Sequence, residues 1–241
     1  MQLIWTITKR EINAFFSSLT AYIILIVFLA VSGFFTWLGG FGDIFFVGQA
    51  SLQVFFSIAF WTLFFFIPAI TMRMLAEEQR SGTLELLATK PISDFQIVAG
   101  KWLASWLLVL ISLAFTLPYY ITVANLGNID HGAVMSGYLA LIFVTGVYTS
   151  IGIFASSITK NQIVALILSL FISVFFHILF GLMADVLPGG LAEIAEFMDL
   201  QYHYATLTRG VISAESVVYM LVLIITGFVL ATASLKRRLW S

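Results

Sequence analysis

Between Arg73 and Lys101 the chain reads RMLAEEQRSGTLELLATKPISDFQIVAGK, a polar island in a greasy sequence. It carries four of the eleven Lys and Arg residues and four of the twelve acids of a chain that is only 10% charged. Arg73, Glu77 and Arg80 fall at i, i+4 and i+7, the spacing that lets charges exchange salt bridges along one helix face. Leu84, Leu86 and Leu87 flank Glu85. Ion pairing and docking of apolar side chains are the chemistry such residues offer; no bond-making group stands among them.

The other candidate is His177, the one ionisable side chain well inside an apolar segment. An intramembrane ionisable group is a functional candidate by default. A neutral histidine, bonded to a neighbouring helix or reaching the outer interface, is the favoured reading, since histidine is the cheapest ionisable residue to bury neutral. Nothing else suggests catalysis. The one Gly-Lys pair, Gly100-Lys101, precedes Trp102 and lacks the earlier glycine of a phosphate-binding loop. H-E-x-x-H and G-x-S-x-G are absent. With no cysteine there is neither disulfide nor thiolate metal site, and no metal ligand set is expected.

These residues must be held by membrane helices. The 241 residues are 61% hydrophobic, with a mean hydropathy of +1.06, too apolar for a soluble domain. A helix crossing the hydrocarbon needs about 20 apolar residues. Six segments qualify: Leu19–Leu38, Leu52–Met72, Trp102–Ala124, Val134–Ser157, Gln162–Ala184 and Val217–Leu235. The fold class expected is all-α and polytopic, a single transmembrane domain over residues 1–241.

With six spans, Lys9, Arg10, Arg73, Arg80, Lys90, Lys101, Lys160, Lys236, Arg237 and Arg238 share one side, and only Arg209 lies on the other. The positive-inside rule predicts cytoplasmic termini and a cytoplasmic island. The opposite side collects Asp43, Asp130, Asp185, Glu193, Glu196, Asp199 and Glu215. The net charge of −1 gives no basic surface for nucleic acid. Residues 1–18 place Ile4, Trp5, Thr8, Ile12, Phe15 and Phe16 at helical spacing, with Lys9, Arg10 and Glu11 elsewhere on the wheel. That pattern predicts an amphipathic helix in the membrane interface rather than an extension of the first span. Residues 185–216 predict a short amphipathic helix, carrying Leu191, Ile194, Ala195 and Met198, in a re-entrant region on the outer face. The chain then turns at Arg209-Gly210, and Ser213 caps the last span.

Within the island, residues 73–101 predict a helical hairpin. Gly82 ends the first arm. Thr83 caps one or two turns to Ala88, with Glu85 in the first turn, and Pro91 ends them. Ser93 and Gln96 match a capping box, and Ile92 with Ile97 a hydrophobic staple, at the start of the helix that runs into the third span. Leucines at the tip either meet a partner or fold onto the membrane surface.

The run EQRSGTLELLATKPIS, followed by Lys101, resembles the cytoplasmic loop of ABC-2 type transporter permeases, which carry an acid, then G-T-L-E, a proline and a lysine entering the third span. Six spans, the amphipathic start and the helical outer loop also fit. Among subfamilies, PAITMRMLAEEQRSGTLELLATKPIS and SSITKNQIVA most resemble the gliding-motility permeases of Bacteroidetes (the F-type subunit). The resemblance implies a type V exporter-like fold in the bacterial inner membrane. It makes Thr83 to Ala88 a coupling helix seated on a separate ATPase, with Glu78, Gly82, Thr83, Leu84, Glu85, Leu86 and Leu87 as contacts. Thr159, Lys160 and Asn161 become a second, smaller contact. Two ATPase copies, binding ATP and Mg, and a second permease subunit, identical or homologous, are implied. No cofactor is bound by this chain.

Two functions share that hairpin. One is an export permease for an amphipathic cargo or envelope machinery. The other is a non-transporting component that passes force to a periplasmic or auxiliary membrane protein. A continuous cavity between paired subunits separates them. An intramembrane enzyme centred on His177 lacks a second catalytic group at the same depth.

Overall fold

The computed structural model describes residues 2–39, 44–83 and 92–238. Among them every regular element is helical: α1 Gln2–Ser17, α2 Leu19–Trp37, α3 Ile44–Val47, α4 Gln53–Thr71, α5 Ala76–Ser81, α6 Asp94–Ala114, α7 Leu117–Leu126, α8 His131–Ser157, α9 Gln162–Val174, a π-turn Phe175–Leu179, α10 Phe180–Val186, α11 Gly190–Met198, α12 Leu200–Thr208 and α13 Ala214–Arg238. Taken across their kinks, five stretches are long and apolar enough to span a bilayer: Gln53–Ser81, Asp94–Leu126, His131–Ser157, Gln162–Val186 and Ala214–Lys236. The pair Gln2–Ser17 and Ala21–Trp37, bent by 74°, makes a sixth. The bend fits an interfacial α1 followed by a spanning α2, with Trp5 exposed and Ile7, Thr8 and Phe15 buried.

α8 is the hub. It packs against α4, α6, α9, α12 and α13, and 78% of its apolar window is buried, against 22% for Gln162–Val186. Small residues make this possible, because helices in lipid gain from close backbone approach rather than from the hydrophobic effect. A Cβ on Gly152 would lie 1.9 Å from Thr71 Oγ1 and 2.7 Å from Thr71 Cβ. One on Gly146 would meet Ile224 at 2.8 Å, and one on Gly227 would meet Ser150 at 2.8 Å. The small residues of the fourth span are therefore packing positions.

The prolines of spans two and three sit in different settings. Pro68 lies inside α4 without ending it. Pro118 sits in the first turn of α7, where its missing N–H costs nothing, just after α6 ends at Phe115-Thr116. At the acidic end, α10 and α11 pack against each other as a hairpin turning at Gly189, with φ +59°. α12 follows, capped by Asp199, and Gly210 (φ +94°) turns the chain toward α13, whose start accepts a cap from Ser213. The amphipathic α11 and the turn match expectation; α12 was not foreseen.

Gly152→Ala should destabilise the protein by about 1–3 kcal/mol, the usual cost of overpacking. Gly190→Ala, where nothing lies within 4 Å, should be near neutral. Thermal unfolding of both variants in one detergent measures the difference.

Candidate functional site

The two arms of the island meet the bundle at the end that carries the amino terminus. Span two does not run out as one smooth helix. After Thr71 it loosens, and Ser156 of α8 repairs the break: its hydroxyl accepts from Leu75 N and Ala76 N, both at 3.0 Å, and donates to Met72 O at 2.9 Å. α5 then resumes and stops at Gly82, which adopts φ +72° in the left-handed C-cap position. Gln79 donates to Ser157 O at 2.8 Å, binding α5 to the end of α8.

The other arm starts at Ser93. Its side chain accepts from Gln96 N while the Gln96 side chain accepts from Ser93 N, a complete capping box. Ile92 packs against the buried cluster that holds Ile97. Gly100 lets α1 lie against α6, since a Cβ there would fall 2.6 Å from Ile7 Cγ2. Thr8 uses the same approach to donate to Gly100 O at 3.1 Å.

Where α1, α5 and α6 converge, the charges pair. Lys101 Nζ lies 3.1 Å from Glu11 Oε1 and 2.9 Å from Glu78 Oε1. Arg10 bridges the same two carboxylates, reaching Glu78 at 3.1 Å. The Lys101 side chain is 1% exposed, those of Glu11 and Glu78 are 14% and 18%. Burial alone would raise the Glu11 carboxyl; the Lys101 ammonium and the Arg10 guanidinium outweigh it and hold it below the ordinary glutamate range. Arg73 sets its guanidinium over the Phe15 ring, 4.8 Å from the centroid. A cleft of about 290 Å³ opens beside the cluster, lined by Glu11, Phe15, Arg73, Glu77, Glu78 and Thr83 among others.

Of the expected contact residues, Glu78 therefore points into the charge cluster. Gly82 and Thr83 lie just past it, Thr83 bonding Ser81 and Glu78 O. Leu84, Glu85, Leu86 and Leu87 lie outside the described residues. Thr159, Lys160 and Asn161 form the turn between spans four and five at this same end. There Asn161 caps α9 by accepting from Ile163 N at 2.9 Å, and Lys160 is exposed.

His177 lies far from this site, in the π-turn, fully buried. Its Nδ1 shares a hydrogen bond with the Tyr148 hydroxyl of α8. Its ring stacks on Phe60 at 4.3 Å and meets the edge of Trp61 at 4.4 Å. It is a histidine bonded across a helix pair inside an aromatic cage. A second buried histidine, His203, escaped the sequence reading. It bonds Ser216 Oγ at 3.0 Å and Phe197 O at 2.8 Å. Asp199 caps α12 through Gln201 N and Tyr202 N, and burial raises its carboxyl above the usual range despite those two bonds.

A bundle of apolar spans, hubbed on one helix and bearing two capped helical arms at one end, defines a polytopic membrane component. Residues 46–240 match the family described as ABC-2 family transporter protein. The chain belongs to that family: it is a transmembrane permease component of an ABC transporter, which implies the bilayer and an ABC ATPase as partners. No curated protein matches the chain.

Lys101→Met should destabilise the protein by about 3 kcal/mol, because it removes the buried cation and leaves two largely buried carboxylates with only the half-exposed Arg10 between them. Adding Glu11→Gln and Glu78→Gln to it should restore most of the loss; a thermal-unfolding cycle checks this. Glu11 is depressed in the folded state, so its stabilisation is complete above the ordinary glutamate range. It should be lost as pH falls below that range.

Proposed function

We propose that this chain couples ATP hydrolysis by separate ATPase subunits to export or envelope-related work, with the hairpin of residues 73–101 as the receiving element. The observation that carries the reading is the construction of the hairpin's base. Both arms are capped; the first is stitched to α8 through Ser156 and Gln79, and Lys101 of the second ties it to the first and to α1. Force applied beyond Gly82 and Ser93 would therefore reach spans two, three and four together. A floppy loop would absorb it.

In this reading residues 83–88 form a coupling helix. Leu84, Leu86 and Leu87 enter an apolar cleft of the ATPase, and Glu85 faces its rim. The turn at Thr159, Lys160 and Asn161 supplies a second contact from the same end. ATP-driven closure of two ATPases would shift these elements and reorient the spans. ATP and Mg belong to those partners. A second permease subunit, identical or homologous, completes the translocating unit. The strong bias of Lys and Arg to this end puts it, with both termini, in the cytoplasm, and the membrane is the bacterial inner one. The likeness of PAITMRMLAEEQRSGTLELLATKPIS to gliding-motility permeases makes envelope-related motility the proposed task.

Deletion of residues 83–88, or Glu85→Lys, should abolish association with the ATPase while membrane insertion persists. Purification in mild detergent, with identification of every co-purifying chain, reads both. Wild-type protein should bring down an ATPase and a permease partner. A deletion variant that retains a full complement of ATPase would overturn the proposal.

A further inference from the structure

Inside the apolar bundle, three polar side chains stand in register with needs that no group among the described residues meets. Ala165, Ser169, Ser173 and His177 recur every four residues along span five, and all four are fully buried. α9 packs against α8 and α4. Ser169 Oγ, Ser173 Oγ and His177 Nε2 have no hydrogen-bond partner. A buried helical serine ordinarily returns its hydroxyl to the carbonyl one turn back. Ser112, Ser136 and Ser150 do so here, at 3.1, 3.0 and 2.9 Å. Those of span five do not. Thr36 and Ser105 are orphaned too, but singly, on α2 and α6.

An orphaned polar group is costly where hydrocarbon replaces water, and three in one line need a common remedy. Side chains four apart on a helix stand about 5–6 Å from one another, the reach of two hydrogen bonds through one water. At the far end of the line the helix widens into the π-turn Phe175–Leu179, a departure from α-geometry that often accompanies functional sites.

We propose that the seam where span five packs on spans two and four holds a short file of water molecules, bonded to Ser169, Ser173 and His177. Tyr148 fixes its far end through His177 Nδ1. The waters satisfy the three orphans and wet one packing face of span five. A wetted face exchanges hydrogen bonds as it slides, where an interlocked dry face must break packing. The inference rests on burial and unmet hydrogen bonds alone and stands apart from the ATPase reading.

Hydroxyl-radical footprinting by X-ray irradiation, on the full-length protein in lipid nanodiscs, tests it, because bound water generates the radical in place. Tyr148 and His177, although fully buried, should take up oxygen at a rate comparable to exposed Tyr202. That label should fall in the Ser169→Ala/Ser173→Ala double variant. The double variant should also melt a few degrees lower, since it strips hydrogen bonds from the waters. A dry seam gives the opposite: no label at Tyr148 and His177 above the unirradiated control, or a melting temperature that rises once two orphan hydroxyls are gone. Either dry result overturns the proposal.

Discussion

The buried ammonium of Lys101 sets the geometry of the basic end. An ammonium taken out of water costs several kcal/mol unless anions meet it closely. Here two do, and they come from far apart in the chain: Glu11 on the amphipathic α1 and Glu78 on α5. One cation thus draws three elements to a point. Arg10 closes the set on the same two carboxylates, so two positive and two negative charges balance. α1 is pinned across the bundle, and α5 and α6 are held to it as a fixed base.

The rest of the fold transmits that base into the membrane. α8 touches most of the bundle, and its small residues let α4 and α13 approach closely. Ser156 is a joint in that path, since it supplies the hydrogen bonds that span two lacks where it loosens. At the acidic end a different logic holds. Phe60 lies between the rings of His177 and Tyr204, each stacked at 4.3 Å, and Tyr204 donates to Phe56 O. Aromatic stacking and buried polar contacts bind the α10–α12 region to spans two and four.

Much of this was legible in the chain. Long apolar runs gave the spans. Local chemistry gave the caps at Ser93 and Ser213 and the stops at Gly82 and Gly210, because each depends on residues within one turn. Pairings across long separations were not legible. Nothing local says that Lys101 meets Glu11 ninety residues away, or that Arg73 meets the Phe15 ring. His203 was overlooked because it lies outside the apolar runs, where a histidine draws less notice. The repeat of Ser169, Ser173 and His177 at intervals of four was visible, but its meaning required knowing that the hydroxyls find no carbonyl. The hairpin tip, Leu84 to Leu87, rests on the motif alone.

The absence of cysteine from the chain makes one experiment direct. A single Leu86→Cys thiol, introduced into the otherwise wild-type permease and probed in intact cells that also hold its ATPase, reports on the hairpin tip alone. The account predicts a crosslink from position 86 to the ATPase and no reaction with an impermeant thiol reagent added outside. Labelling from outside, or a thiol that crosslinks only to lipid, would contradict it.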